Sequence, residues 1–372
     1  MRLNPISLLV FLGAVALAAC GSSKTVGFEP GADGGAPTGD DGVGSLTSDG
    51  GTSFDRDAAC ATSISPTQRL PGGLLIVLDR SFSMTHNADD MEPRFGEPSK
   101  WEVAQKALRS LVDSLPDGLE LGLEMFPYDL GCNVAQTPQV GLDDIKITRA
   151  AVKSALGQGP NGDTPTTDAL KTAFGVLTTA SNIGAKAVML VSDGAPNCGG
   201  DANSVYAAVN GAHTHAGILT YVVGVPGSPY SDFSKLAVAG GTQRTPTCLP
   251  VCDTTWADID KCCHYATSAT DFEASLTKAL AEIAAKLRTD CVYKIPAVNG
   301  VQPMAGLVNV VVSVDGTTET VVLQSSDPNA DGWSYTDGTG TYLVLHGDVC
   351  KKVLASPSSR VEVVVGCPTR VR

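Results

Sequence analysis

From Pro71 onward, short unbroken apolar runs alternate with segments in which apolar residues recur every third or fourth position. Unbroken runs bounded by turn residues mark strands buried on both faces, and three-to-four spacing marks amphipathic helices. The alternation therefore predicts an α/β fold with a doubly wound, mostly parallel, Rossmann-like sheet. Residues 74–78 predict its first strand, which ends at Asp79. Ser99 and Glu102 have the spacing of a capping box, after which Trp101, Ala104, Leu108, Leu111 and Leu115 share one helical face. Leu119, Leu121, Leu123 and Met125 alternate with Glu120, Gly122 and Glu124, predicting a strand towards the sheet edge with one face partly wet. Helices over 167–179 and 202–216 and strands over 187–192 and 218–225 follow. After a cysteine-rich stretch, Thr270-Asp271-Phe272-Glu273 opens a last helix that aligns Phe272, Leu276, Ala279, Ile283 and Leu287.

Beyond Cys291 the pattern changes to β-branched or alternating runs over 307–314, 318–323, 332–335, 341–345 and 360–365, separated by Asp-Gly, Asp-Pro and Gly-rich turns. This predicts a small C-terminal β-sheet domain or appendage over 291–372, behind an α/β domain over 59–290 with a cysteine-rich insertion at about 245–265. Trp333 and Tyr335 are two residues apart and share a face, either in the core of that unit or as an exposed ligand platform.

The N-terminus reads differently. Arg2, an apolar run over 8–16 and Leu17-Ala18-Ala19-Cys20 form a segment too short to span a bilayer, which takes about 20 residues, and of the kind that is removed on export. Residues 17–20 resemble a bacterial lipobox, which implies a signal peptide over 1–19 and a lipid on Cys20 as the membrane attachment. Gly21 in place of aspartate resembles the sorting pattern of the outer membrane, so the expected location is the cell envelope, periplasmic or surface-exposed. Residues 20–58 are rich in Gly, Ser, Thr and Asp, and seven acids stand against Lys24 and Arg56, which makes this stretch a solvated acidic tether.

Charge and cysteine content narrow the chemistry. With 26 Lys+Arg against 39 Asp+Glu, the formal net charge of -13 argues against a nucleic-acid partner. Eleven cysteines suit an oxidising compartment, and removing Cys20 leaves ten, an even number. Cys248, Cys252, Cys262 and Cys263, followed by His264, fit two disulfides pinning the insertion, with a zinc site as the sharper alternative. Cys60, Cys132, Cys198, Cys291, Cys350 and Cys367 would form three more bridges, and Cys291 and Cys367, which bracket the final segment, form one plausible staple.

Ligands of open α/β sheets bind beyond the carboxyl ends of the strands. Three segments place hard oxygen donors there: Asp79-Arg80-Ser81-Phe82-Ser83, Gly162-Asp163-Thr164-Pro165-Thr166 and Ser192-Asp193-Gly194. Hydroxyls and carboxylates without His or Cys select a hard divalent ion, Mg²⁺ first, with Ca²⁺ or Mn²⁺ as substitutes. The competing structural reading makes Ser81, Ser83 and Thr164 helix caps and Asp79 a buried strand-end acid.

The D-x-S-x-S pattern at Asp79, Ser81 and Ser83, the T-P-T element at Thr164 and the strand-end Asp-Gly at Asp193 resemble the metal-ion-dependent adhesion site (MIDAS) of von Willebrand factor A domains, over roughly Pro71 to Asp290. The resemblance implies that Ser81, Ser83 and Thr164 coordinate the ion directly and that Asp79 and Asp193 act largely through water. An acidic side chain of a partner would then complete the octahedron. Phe82, where the family often has glycine, and Arg80 depart from the pattern. The expected function is a lipid-anchored binding or adhesion module for an extracytoplasmic protein or matrix ligand offering a carboxylate. A metal-dependent hydrolase and a scaffold whose metal only stiffens loops are the alternatives. The chain shows no G-x-S-x-G elbow, H-E-x-x-H helix or phosphate loop, and no enzymatic activity is expected. His213 and His215, two apart on a helix, are expected to be solvated or capping, and His86 to border the metal at most.

Overall fold

The computed structural model describes residue 61 and residues 63–372, except 116, 253–255, 288–290, 317, 328, 337–339 and 357. The expected leader, the expected lipid site at Cys20, the expected tether and Cys60 lie outside the described residues. The described chain begins with two short strands, β1 (Ser63–Pro66) and β2 (Gln68–Arg69). It then enters an α/β layer built from β3 (Gly72–Asp79), α1 (Lys100–Ser114), β4 (Leu119–Phe126), β5 (Val140–Asp144), α2 (Ile145–Ala155), α3 (Thr166–Thr179), β6 (Lys186–Ser192), α4 (Ala202–Ala216), β7 (Leu219–Gly224), α5 (Tyr230–Ala239), β8 (Tyr265–Ala266) and α6 (Phe272–Leu287).

These strands form a six-stranded sheet in the order β5-β4-β3-β6-β7-β8. Only the β4–β5 pair is antiparallel. Leu74, Ile76 and Leu78 of β3 pack with side chains of α1, α2 and α6, whereas Leu75 and Val77 pack with those of α3, α4 and α5. Burial on both faces is why these strands read as unbroken apolar runs, each fully buried Leu or Ile contributing about 1.5–3 kcal/mol. At the start of α1, Ser99 accepts from the Glu102 backbone and Glu102 from that of Ser99, the capping box that its spacing predicts.

The wet face expected on β4 is absent: Gly122 and Glu124 are buried and Glu120 is only half-exposed. The antiparallel β5 takes the edge position, so β4 has strands on both sides.

The second unit comprises β9 (Val292–Lys294), β10 (Val308–Val314), β11 (Thr318–Val322), β12 (Gly332–Tyr335), β13 (Tyr342–His346), α7 (Asp348–Ala355) and β14 (Arg360–Val365). Two four-stranded antiparallel sheets, β1-β14-β10-β11 and β12-β13-β9-β2, enclose a core of valines and leucines around Trp333, which is fully buried and meets Tyr335 edge-on at 5.0 Å. These two aromatics belong to the core side of the sheet. Residues 63–69, expected in the α/β domain, pair with this unit instead. The run before β14 also forms a helix, α7, which buries Cys350 and Val353 three residues apart. That helix brings Cys350 to Cys291, with which it forms a disulfide (Cα–Cα 5.8 Å), so the expected Cys291–Cys367 staple is incorrect. Cys367 is itself disulfide-bonded.

The two units meet where the parallel strands begin. The Leu70 amide donates to the Val292 carbonyl (2.9 Å) and the Gly184 amide to that of Pro71 (2.9 Å). A Cβ on Gly184 would stand 2.7 Å from Cβ of Val292, so only glycine permits this approach. No helix among the described residues is long and apolar enough to cross a membrane.

Candidate metal centre

At the opposite end of the sheet, β3 finishes on Asp79 and β6 on Ser192, followed by Asp193. Asp79 is buried; Oδ1 accepts from the Ser81 amide (2.8 Å) and Oδ2 from the Ser192 hydroxyl (2.5 Å). The Ser81 and Ser83 hydroxyls are 3.0 Å apart, and Ser83 donates to Asp193 Oδ1 (2.9 Å). Ser81 stands at the N-terminus of a 3-10 turn, Phe82–Thr85, yet its side chain makes no capping bond. The helix-cap reading of this serine therefore does not hold. Thr164 is buried; its amide donates to Asn197 Oδ1 (2.7 Å), and its Oγ1 lies 3.9 Å from where a Gly194 Cβ would stand. Asp79, Ser81, Ser83 and Asp193 thus form one bonded chain, and Thr164 joins it through the loop that follows Asp193.

Burial, followed by the charge of Asp193, pushes the Asp79 carboxyl up to about 7 against the opposing hydrogen bonds from Ser192 and Ser81. Two acids held together out of water call for a cation. The donor set is all oxygen, two carboxylates and three hydroxyls, which suits a hard divalent ion. Asp193 Oδ2 is buried and pairs with the Lys100 ammonium at 2.5 Å, so one cation already faces the two acids. By their donor chemistry the residues present fit such an ion.

Four contributors around this chain were not singled out in the sequence as metal-site residues. Arg80 is buried and ties the loops together, donating to the carbonyls of Pro127 (2.7 Å), Tyr128 (2.8 Å) and Gly159 (3.1 Å). Gly162, at φ +66°, lets the loop before Thr164 pass that after β4; a Cβ there would be 2.6 Å from the Asp129 carbonyl. Cys132–Cys198 bridges the loops after β4 and β6, and the Asp163 amide donates to the Gly131 carbonyl (3.1 Å) beside it. Lys100 reaches the site from the first turn of α1. Its sequence signal is its position four and eight residues before Ala104 and Leu108, on the buried face.

Of the remaining candidates, His86 lies 3.4 Å from Asp90 Oδ1, one carboxylate removed from Lys100. The insertion carries disulfides Cys248–Cys263 and Cys252–Cys262, not zinc thiolates. His264 is buried against Tyr230 and Phe233, paired with Ser234 (3.0 Å), and held neutral because burial and then Arg244 lower it to about 3. His215 bonds the Gly211 carbonyl within its helix, and His213 packs on Gly241.

Residues 74–195, from the first parallel strand through the Asp193 loop, match the von Willebrand factor type A domain family. Over these residues the chain is a von Willebrand factor type A domain. No curated protein matches the sequence. Solved structures similar to it include the PilB minor pilin of Streptococcus sanguinis, with 13% identity over 59% of this chain and 62% of that one and a TM-score of 0.43. A von Willebrand factor type A protein of Catenulispora acidiphila has 15% identity over 81% and 59%, with a TM-score of 0.42. The manganese-loaded TRAP protein of Plasmodium vivax has 16% identity over 59% and 76%, with a TM-score of 0.39. The chain thus spans about three fifths of the length of the pilin it matches. In the A domain, all five oxygen-bearing residues predicted from the sequence lie at the carboxyl end of the sheet.

Proposed function

We propose that the A domain is a binding module that holds one divalent ion, Mg²⁺ in the native state, with Asp79, Ser81, Ser83, Thr164 and Asp193, and that it captures a partner through a carboxylate. The observation that carries this reading is the largely buried, bonded chain of hydroxyls and acids between Asp79 and Asp193, in which Ser81 makes no capping bond and every donor is an oxygen. The ion supplies an electrophilic centre for the partner's acid. The protein's residues hold it and orient it, Ser81, Ser83 and Thr164 directly and the two acids through water.

The surface around the site favours a protein or matrix ligand over a small anion. Phe82 (63% exposed), Met91, Phe95, Tyr128 and Leu130 project from the loops after β3 and β4. Exposed apolar residues around a polar centre suit a partner that buries apolar surface around its acid. Phe82 therefore supplies contact area. A lipid on Cys20 would hold the protein in the cell envelope.

Titration with Mg²⁺ and capture of envelope proteins on the immobilised domain, each in Mg²⁺ and in EDTA, test the reading. Asp79→Ala is expected to lower metal affinity at least about a hundredfold and to abolish capture, since an acid coordinating through water and two hydrogen bonds is lost together. Equal capture in EDTA would refute the adhesive role.

A further inference from the structure

Lys100 is the first residue of α1, and its side chain is 1% exposed. Both facts are unfavourable for a cation: burial removes water from the ammonium, and a helix N-terminus carries partial positive charge. The side chain is held there by acids. Nζ lies 2.5 Å from Asp193 Oδ2 and 2.9 Å from Asp90 Oδ1, and it donates to the Pro226 carbonyl at 3.3 Å. Gly227, at φ +99°, lets the chain pass over it; a Cβ there would stand 3.5 Å from Nζ. The ammonium thus occupies a built cavity, in contact with the carboxylate that also accepts from Ser83.

We propose that Lys100 is the internal counter-cation of the metal site: it shares Asp193 with the ion, weakening capture of the ion alone and making capture of ion and partner carboxylate cooperative. This rests on the reading of the site given above. With Asp79 and Asp193 both ionised, the lysine, which Asp193 shares with the solvent-exposed Asp90, offsets part of the two negative charges facing the ion. A divalent ion seated there keeps surplus positive charge in a poorly screened environment, where an incoming carboxylate can neutralise it. Without the lysine, the two aspartates would satisfy the ion by themselves and the partner's acid would gain less. Lys100 also explains how the site stays folded before an ion arrives, since Asp193 then has a cation beside it.

The test is calorimetric titration of the full chain with Mn²⁺, alone and in acetate as the simplest carboxylate, using wild type, Lys100→Met and Lys100→Gln. Both variants are expected to bind Mn²⁺ alone roughly tenfold or more tightly, because a unit charge a few ångströms from a divalent ion is worth at least that much. Acetate should raise Mn²⁺ affinity more in wild type than in the variants. Thermal unfolding in EDTA should fall for both variants and recover on adding Mn²⁺. Binding by the variants alone would support the same role. Wild-type binding with equal or weaker binding by folded variants would overturn the inference and leave the site reading intact. Absence of Mn²⁺ binding in all three proteins would overturn the site reading itself.

Discussion

The two ends of the parallel sheet are built on opposite principles. At the end where the strands begin, backbone amides and carbonyls join the β unit across an apolar seam tight enough to require Gly184. At the end where they finish, Asp79, Arg80, Lys100 and Asp193 are all buried, tied to hydroxyls, carbonyls or one another. Dehydrating charge is costly, and a fold tolerates it where the partners are fixed. The same sheet thus uses apolar area for attachment at one end and buries polar groups at the other. The difference marks the carboxyl end as the candidate site by energetics, independently of the motif.

Glu124 sharpens this contrast most strongly. It lies on β4 beside Val77, its oxygens are buried without a hydrogen-bond partner, and burial pushes it up to about 8. A carboxyl whose folded value lies above its unfolded value of 4.5 binds its proton more tightly in the folded state. Its contribution is therefore fully present below about pH 4.5 and is lost as the pH rises towards 8. Glu124→Gln should remove that loss, raising stability on the order of 3 kcal/mol at pH 8 relative to pH 5 in urea titrations with EDTA. Metal affinity should not change. An unaltered pH slope would show that Glu124 finds a partner, and the contrast with Asp79 would disappear.

A smaller effect is expected at the seam. Gly184→Val would drive a side chain into Val292 and should cost about 2 kcal/mol by overpacking. Because the seam and the site lie at opposite ends of the strands, Mn²⁺ affinity should stay at the wild-type value. A parallel loss of affinity would show that the two ends are coupled.

What the sequence made legible follows the same division. The buried strands are legible because both faces are apolar, and the three segments that meet at the candidate site because each places an oxygen donor at a strand end or helix start. Lys100 was hidden because a lysine beside a capping serine reads as a solvated first-turn residue, and only the fold turns it under the loop at Pro226. Arg80 stood out as a departure from the family pattern, but its carbonyl partners lie 47, 48 and 79 residues away. β1 and β2 are four and two residues long, and their partners β14 and β9 lie far along the chain, so no local periodicity marks them. Pairing of Cys291 with Cys350 depends on α7, a helix in a segment otherwise patterned as strands.

The most direct test of the central claim is anomalous diffraction at the manganese edge from crystals grown or soaked in Mn²⁺. The account predicts one strong peak bounded by Ser81, Ser83 and Thr164, with Asp79 and Asp193 behind it and the Lys100 ammonium still beside Asp193. Full occupancy elsewhere, or no peak among these five residues at saturating Mn²⁺, would contradict it.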